Sequence, residues 1–293
     1  MALNKQKTAT EAIAHLRDGM TVGIGGWGPR RKPMALVREI LRSPLKDLTV
    51  VSYGGPDVGM LCAAGKVKKL IFAFVTMDAI PLEPYYRKAR ESGAIEVEEY
   101  DEGMFEWGLR AAGMRMSFLP TRVGLATDVL AKNPNLKTIT SPYADGEVYV
   151  AMPALKLDAA LLHVNESDRL GNTLLRGHDT FFDHLYARAA DHVIVSTEVL
   201  HEKLALDAHT AKLNAFERYL VQSVVHAPGG AHPTLFGPDY GWDLEHLKRY
   251  NLSATEEGGW QKYVEEFVNV GEAAYQTQIG GAERLAKLKL PVF

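Results

Sequence analysis

A glycine-rich turn about twenty residues into the chain limits its folding most. It reads Thr21-Val22-Gly23-Ile24-Gly25-Gly26-Trp27-Gly28-Pro29 and precedes an amphipathic stretch that starts near Pro33. Strand, glycine turn and helix in that order bring bare backbone N–H groups up to an anion or a carbonyl oxygen. Glycine removes the Cβ atoms that would block a ligand and tolerates positive φ. Arg30-Arg31-Lys32 follows directly and adds three cations suited to phosphate. The turn is not a Walker A loop, because no Gly-Lys-Ser/Thr follows. Its letters fit the dinucleotide fingerprint, but no ribose-binding acid ends the next strand, where Ser52-Tyr53-Gly54-Gly55 stands instead. A tight turn without any ligand remains the alternative.

Short, β-branched apolar runs recur along the chain at Thr21–Ile24, Leu48–Ser52, Lys69–Val75, Ile95–Tyr100, Ala159–His163 and His192–Ser196. Bounded by turn residues, they read as buried strands. Helical patterns lie between them at Pro33–Ser43, Glu83–Ser92, Met104–Ala112 and Thr180–Ala190. This alternation predicts an α/β fold, an open and mainly parallel sheet with helices on both faces. With 293 residues and 46% apolar content, one domain over 1–293 is expected. Leu130–Tyr149 reads as a hairpin excursion, and the segment from about 243 as a mostly helical tail broken at Gly258-Gly259. Ligands of such sheets bind beyond the carboxyl ends of the strands. That rule points to Gly25–Gly28, Tyr53–Gly55, Thr76–Asp78, Asp101–Gly103 and Asn165–Asn172.

A net charge of −3 gives no field for nucleic acid, and no apolar stretch is long enough to span a bilayer. The N-terminus, Met1 to Lys5, lacks the apolar core of a secretory signal. The single cysteine, Cys62, excludes an internal disulfide framework and suits a cytoplasmic protein. Its apolar neighbours read as a buried helix rather than a nucleophile's surroundings. The ten histidines form no metal spacing, so no metal is expected. Among the acids, Glu102 ends a strand and Glu106 lies one turn further into the following helix. A carboxylate at a helix start caps it as readily as it moves protons, so both readings of Glu102 stay open on residues alone.

Taken in order, several segments resemble the α subunit of family I coenzyme A transferases. Gly25-Gly26-Trp27-Gly28 with Pro33 resembles that family's Gly-Gly-Phe-Gly…Pro motif, and Gly65 to Ile71 its next basic segment. Phe118-Leu119-Pro120-Thr121-Arg122-Val123-Gly124 resembles its Pro-Thr-Gly-Val-Gly stretch, and Asp168 to Asn172 its Asp-x-x-Gly-Asn turn. Ala190 to Val195 resembles a late strand, and Pro228-Gly229-Gly230 a Pro-Gly-Gly turn. The departures are as specific. Glu102-Gly103-Met104 stands where the family has Gln-Gly-Thr, and the transferases' Ser-Glu-Asn-Gly nucleophile motif, carried by their β half, is absent here. Tyr53-Gly54-Gly55-Pro56, Gly229 to Thr234 and Pro238 to Gly241 are similar to a divergent branch, the α subunits of steroid ring-opening acyl-CoA hydrolases.

The resemblance implies an open α/β fold of the coenzyme A transferase type and a separate β subunit, in an α2β2 heterotetramer. It implies hydrolytic C–C cleavage of a cyclic keto acyl-CoA, the last steroid ring in cholesterol catabolism. Coenzyme A would enter only as part of the substrate, with no other cofactor. Glu102 takes the role of general base, with Glu106 as the weaker alternative, and the amides of Gly25, Gly26 and Trp27 that of an oxyanion hole. Arg30, Arg31, Lys32, Tyr53, Gly54, Arg122 and Asn172 are the expected substrate contacts. The alternative activity is transfer of coenzyme A between carboxylates.

Overall fold

The computed structural model describes residues 4–80 and 82–291; Met1 to Leu3, part of the N-terminal segment read above, lie outside them. The elements run α1 (Ala9–Ile13), β1 (Thr21–Ile24), α2 (Met34–Arg42), β2 (Leu48–Gly54), α3 (Pro56–Ala63), β3 (Val67–Val75), α4 (Pro84–Glu91), β4 (Glu96–Glu99) and α5 (Glu102–Gly113). Then come β5 (Phe118–Thr121), α6 (Asp128–Lys132), β6 (Lys137–Thr140), β7 (Val148–Pro153), β8 (Leu157–Asp168), β9 (Thr173–Leu174), α7 (Asp183–Ala189), β10 (Ala190–His201) and β11 (Val221–His226). The tail holds α8 (Leu244–Ser253), α9 (Gly259–Phe267), α10 (Glu272–Gln278) and α11 (Gly281–Leu285).

The main sheet has the order β11-β10-β8-β1-β2-β3-β4, all parallel, with β9 antiparallel to β8. Alternation along the central strands buries both faces. Val50 and Leu161 enter one hydrophobic cluster with α2, α3 and the tail, while Val51 and Leu162 enter another with α5 and α7. Each such side chain contributes about 1.5–3 kcal/mol on burial, which explains why parallel strands read as continuous apolar runs. The predicted open sheet with helices on both faces is therefore the observed one. The Leu130–Tyr149 excursion contains β6 and leads into its antiparallel partner β7, and β5 completes a three-stranded sheet in the order β5-β7-β6. That sheet packs on α5, where Gly108 leaves room for Leu155 and Met152; a Cβ there would lie 2.6 Å from Leu155 Cγ.

Boundaries of α7, β8 and β10 differ from the sequence reading for physical reasons. The helix expected from Thr180 starts at Asp183, because Phe181 and Phe182 adopt positive φ of 45° and 63°. Strands β8 and β10 run to Asp168 and His201, well past the apolar runs, because they pair with each other along that whole length. The tail breaks where Gly258-Gly259 predicts: Gly258 is left-handed and opens α9. Among the described residues, no helix is long and apolar enough to cross a membrane.

Strand order reverses direction at β1, with β2, β3 and β4 on one side and β8, β10 and β11 on the other. The crevice beyond the carboxyl ends of β1 and β8 is thus the topological switch point, where open α/β sheets hold ligands. The glycine turn and Glu102 both belong to this end of the sheet.

Candidate active site

The glycine turn does bind an anion, and the anion belongs to the chain. Asp183 Oδ1 accepts the Gly26 amide at 2.9 Å, and Oδ2 lies 3.2 Å from Arg31 Nη2. Both side chains are buried. A Cβ on Gly25 would sit 2.6 Å from Asp183 Oδ1, so glycine is what admits the carboxylate. The Gly25 amide donates to Leu161 O at 2.9 Å and the Trp27 amide to Arg30 O at 3.0 Å. All three amides assigned to an oxyanion hole are therefore engaged within the fold, and that assignment is corrected. Burial pushes the Asp183 carboxyl up, while Arg31, the Gly26 amide and Lys32 oppose the shift.

Two of the three cations after the turn are also structural. Arg31 donates to the carbonyls of Asp179 and Thr180, besides pairing with Asp183. Lys32 is fully buried beneath the strand ends, with Nζ 2.9 Å from Ser52 Oγ and 3.2 Å from Asp57 Oδ2, and it donates to Tyr53 O at 2.5 Å. Burial lowers its pKa, against the pull of Asp57. Neither cation reaches a phosphate, which corrects the expectation for Arg31 and Lys32. Arg30 stays partly exposed, ion-paired to Asp78 at 2.7 Å and lying 4.8 Å from the Trp27 ring and 5.7 Å from that of Trp242.

Glu102 is the half-buried acid of the site. Capping of α5 falls to its neighbour: Asp101 Oδ1 accepts the Gly103 amide at 2.8 Å. Glu102 Oε1 instead accepts the indole N–H of Trp27 at 2.8 Å, and Tyr53 OH donates to its backbone carbonyl at 3.0 Å. Burial pushes the Tyr53 phenol up, reinforced by Glu102, Glu106 and Asp101, so it remains a donor. Around this pair stands an aromatic wall. Phe74 meets Trp27 edge-on with centroids 4.7 Å apart, and Tyr53 contacts Phe105 at 4.5 Å and Phe182 at 5.4 Å.

The remaining expected contacts divide. Glu106 is tied to Arg110 at 2.5 Å on the same helix. Tyr53 is buried and acts on the site through its hydroxyl, and Gly54 is enclosed by Val58 and Val75. Asn172 is consumed by its own turn, its Nδ2 donating to Asp168 Oδ2 at 2.8 Å and its amide to Asp168 Oδ1 at 3.0 Å. Tyr53, Gly54 and Asn172 are thus corrected from substrate contacts to supports. Arg122 is exposed and paired with Glu147 at 3.3 Å; the next residue, Val123, lies over Gly103 at the start of α5. Sequence reasoning missed Asp183, Asp57, Phe74 and Trp242. The strand-end rule had already marked Asp78, but nothing local marks Asp183, whose partners are over 150 residues away.

Comparison with known proteins adds a family. A model of the coenzyme A transferase family matches residues 6–227. The chain is 47% identical over 283 residues to the cholesterol ring-cleaving hydrolase IpdA subunit of Rhodococcus jostii, covering 94% of this chain and 96% of the relative. The subunit of that name from Mycobacterium tuberculosis is also 47% identical, covering 94% and 97%. The crystal structure of glutaconate coenzyme A-transferase from Acidaminococcus fermentans superposes with a TM-score of 0.89 at 28% identity, covering 98% of this chain and 96% of that one.

Proposed function

Given that the chain belongs to the coenzyme A transferase family, we propose that it is the α subunit of an acyl-CoA hydrolase that opens the last steroid ring in cholesterol or steroid breakdown. The observation that carries this reading is 47% identity along nearly the whole chain to subunits named for that activity. Glu102, held by Trp27 at the strand ends, supports it as a candidate proton carrier.

In the proposed reaction Glu102 takes a proton from water as the oxygen adds to a ring ketone. The adduct collapses to a carboxyl group, and the C–C bond beside it breaks. Its electron pair leaves as an enolate conjugated with a neighbouring carbonyl, and Glu102 returns the proton to that carbon. Atoms balance as substrate plus one water. The glycine-turn amides are occupied, so developing negative charge falls to cations. Arg30, above the Trp27 ring, and Arg122, beside Val123 on the loop over Gly103, are the candidates on this chain. The aromatic wall of Trp27 and Phe74 suits an apolar ring.

A separate β subunit would complete the site in an α2β2 assembly, and the carbonyl chemistry calls for no cofactor beyond the coenzyme A of the substrate. The setting would be the cytoplasm, where a lone thiol such as Cys62 stays reduced. Incubating the co-purified pair with a cyclic keto acyl-CoA tests the reading. A product heavier by one water that keeps its coenzyme A supports it. Coenzyme A moved onto an added carboxylate, with a borohydride-trapped glutamyl thioester on the β subunit, would establish the transferase alternative.

A further inference from the structure

The bond between Trp27 and Glu102 joins two different parts of the fold. Trp27 belongs to the turn after β1, and Glu102 is the first residue of α5. The indole is fixed before Glu102 is considered. Its backbone amide and carbonyl both pair with Arg30, at 3.0 and 3.1 Å. Its ring meets Phe74 at an interplanar angle of 65° and is overlain by the Arg30 guanidinium. A ring held between Phe74 and Arg30 on a fixed backbone points its single N–H toward Glu102 Oε1. Glu102 is held in turn at its backbone by Tyr53 OH. Among the described residues no hydrogen bond reaches Oε2, so that oxygen is left for a water or a substrate proton.

We infer that the Trp27 indole is a positioning residue for the Glu102 carboxylate: it fixes one oxygen by hydrogen bonding and so aims the other at the reacting atoms. The inference rests on the proposed role of Glu102 as the proton carrier. A pinned carboxylate reacts from one geometry, and small misplacements of a reacting group cost about a hundredfold in rate.

The test uses the complete complex with the β subunit and two replacements at position 27. Trp27→Phe keeps an aromatic ring against Phe74. Benzothienylalanine, incorporated at position 27 alone, keeps the fused ring and substitutes sulfur for N–H. The expected result is a kcat lowered by about 10- to 100-fold with KM within about threefold. If Trp27→Phe does not assemble, the benzothienylalanine protein decides. Unchanged activity would overturn the inference. So would a fall in activity carried by KM with kcat unchanged, which would make the indole a packing element. Glu102→Gln run in parallel separates the two levels. If it is inactive while the indole variants behave as wild type, only the positioning role fails. If it retains turnover, the proposed function fails and the inference goes with it.

Discussion

Asp183 Oδ1, at the start of α7 and 157 residues further along the chain, accepts the Gly26 amide at 2.9 Å. A turn that by its letters should cradle a ligand's phosphate cradles a side chain instead. Asp183→Ala should therefore act on stability. It strips the buried Arg31 of its counterion, and breaking a buried pair costs about 3–5 kcal/mol. Urea unfolding of the variant checks this. Unchanged stability with impaired binding of coenzyme A thioesters would return the cradle to the substrate.

Lys32 gives the matching case for a cation. Its ammonium is enclosed by Asp57, Ser52 Oγ and Tyr53 O. Lys32→Met leaves Asp57 buried without its partner, a loss of about 3–5 kcal/mol. The KM for acyl-CoA in the folded fraction should stay within about twofold, since no phosphate contact is removed. A large rise in KM at normal thermal stability would contradict this.

Glu83 supplies a pH dependence. The side chain is buried, accepting from Tyr250 OH and the Tyr86 amide, each at 2.6 Å. Gly59 makes room for it; a Cβ there would lie 2.0 Å from the carboxylate. Burial pushes its pKa up to about 7, although the Tyr250 and Tyr86 hydrogen bonds pull the other way. A carboxyl raised in the folded state keeps a proton that the unfolded chain has lost. Its contribution to stability is whole below the ordinary glutamate range and is lost as pH climbs through about 7. Glu83→Gln loses a hydrogen bond at every pH but cannot titrate. The stability advantage of wild type over the variant should shrink between about pH 5 and about pH 8, measured by chemical denaturation. A gap constant across that range would show that Glu83 does not titrate there.

The fold was legible because its signals are local and repeated. The buried strand runs need no partner to be recognised, and glycine punctuates the tail at Gly258. The site was legible only in part. The change from Gln to Glu at 102 and from Phe to Trp at 27, both departures from the family motif, were visible as letters. Only the structure shows that these two side chains are hydrogen-bonded to each other. The misreadings share one cause. Gly25, Gly26, Arg31, Lys32 and Asn172 were read as open to a ligand, whereas each is satisfied by the chain itself. For four of them the decisive partner is distant in sequence: Leu161 for Gly25, Asp183 for Gly26 and Arg31, and Asp57 for Lys32. Asn172 is closed locally by Asp168, as the Trp27 amide is by Arg30.

The central claim is that Glu102 moves the protons of a water-driven ring opening. The most direct measurement compares wild type with Glu102→Gln, each in complex with the β subunit, turning over a cyclic keto acyl-CoA in oxygen-18 water. The account predicts one labelled oxygen in the new carboxyl group for wild type. For the variant it predicts turnover lowered by at least about a hundredfold, the lower range for a lost general base, with assembly intact. Undiminished turnover by the variant, or a wild-type product without label, would contradict it.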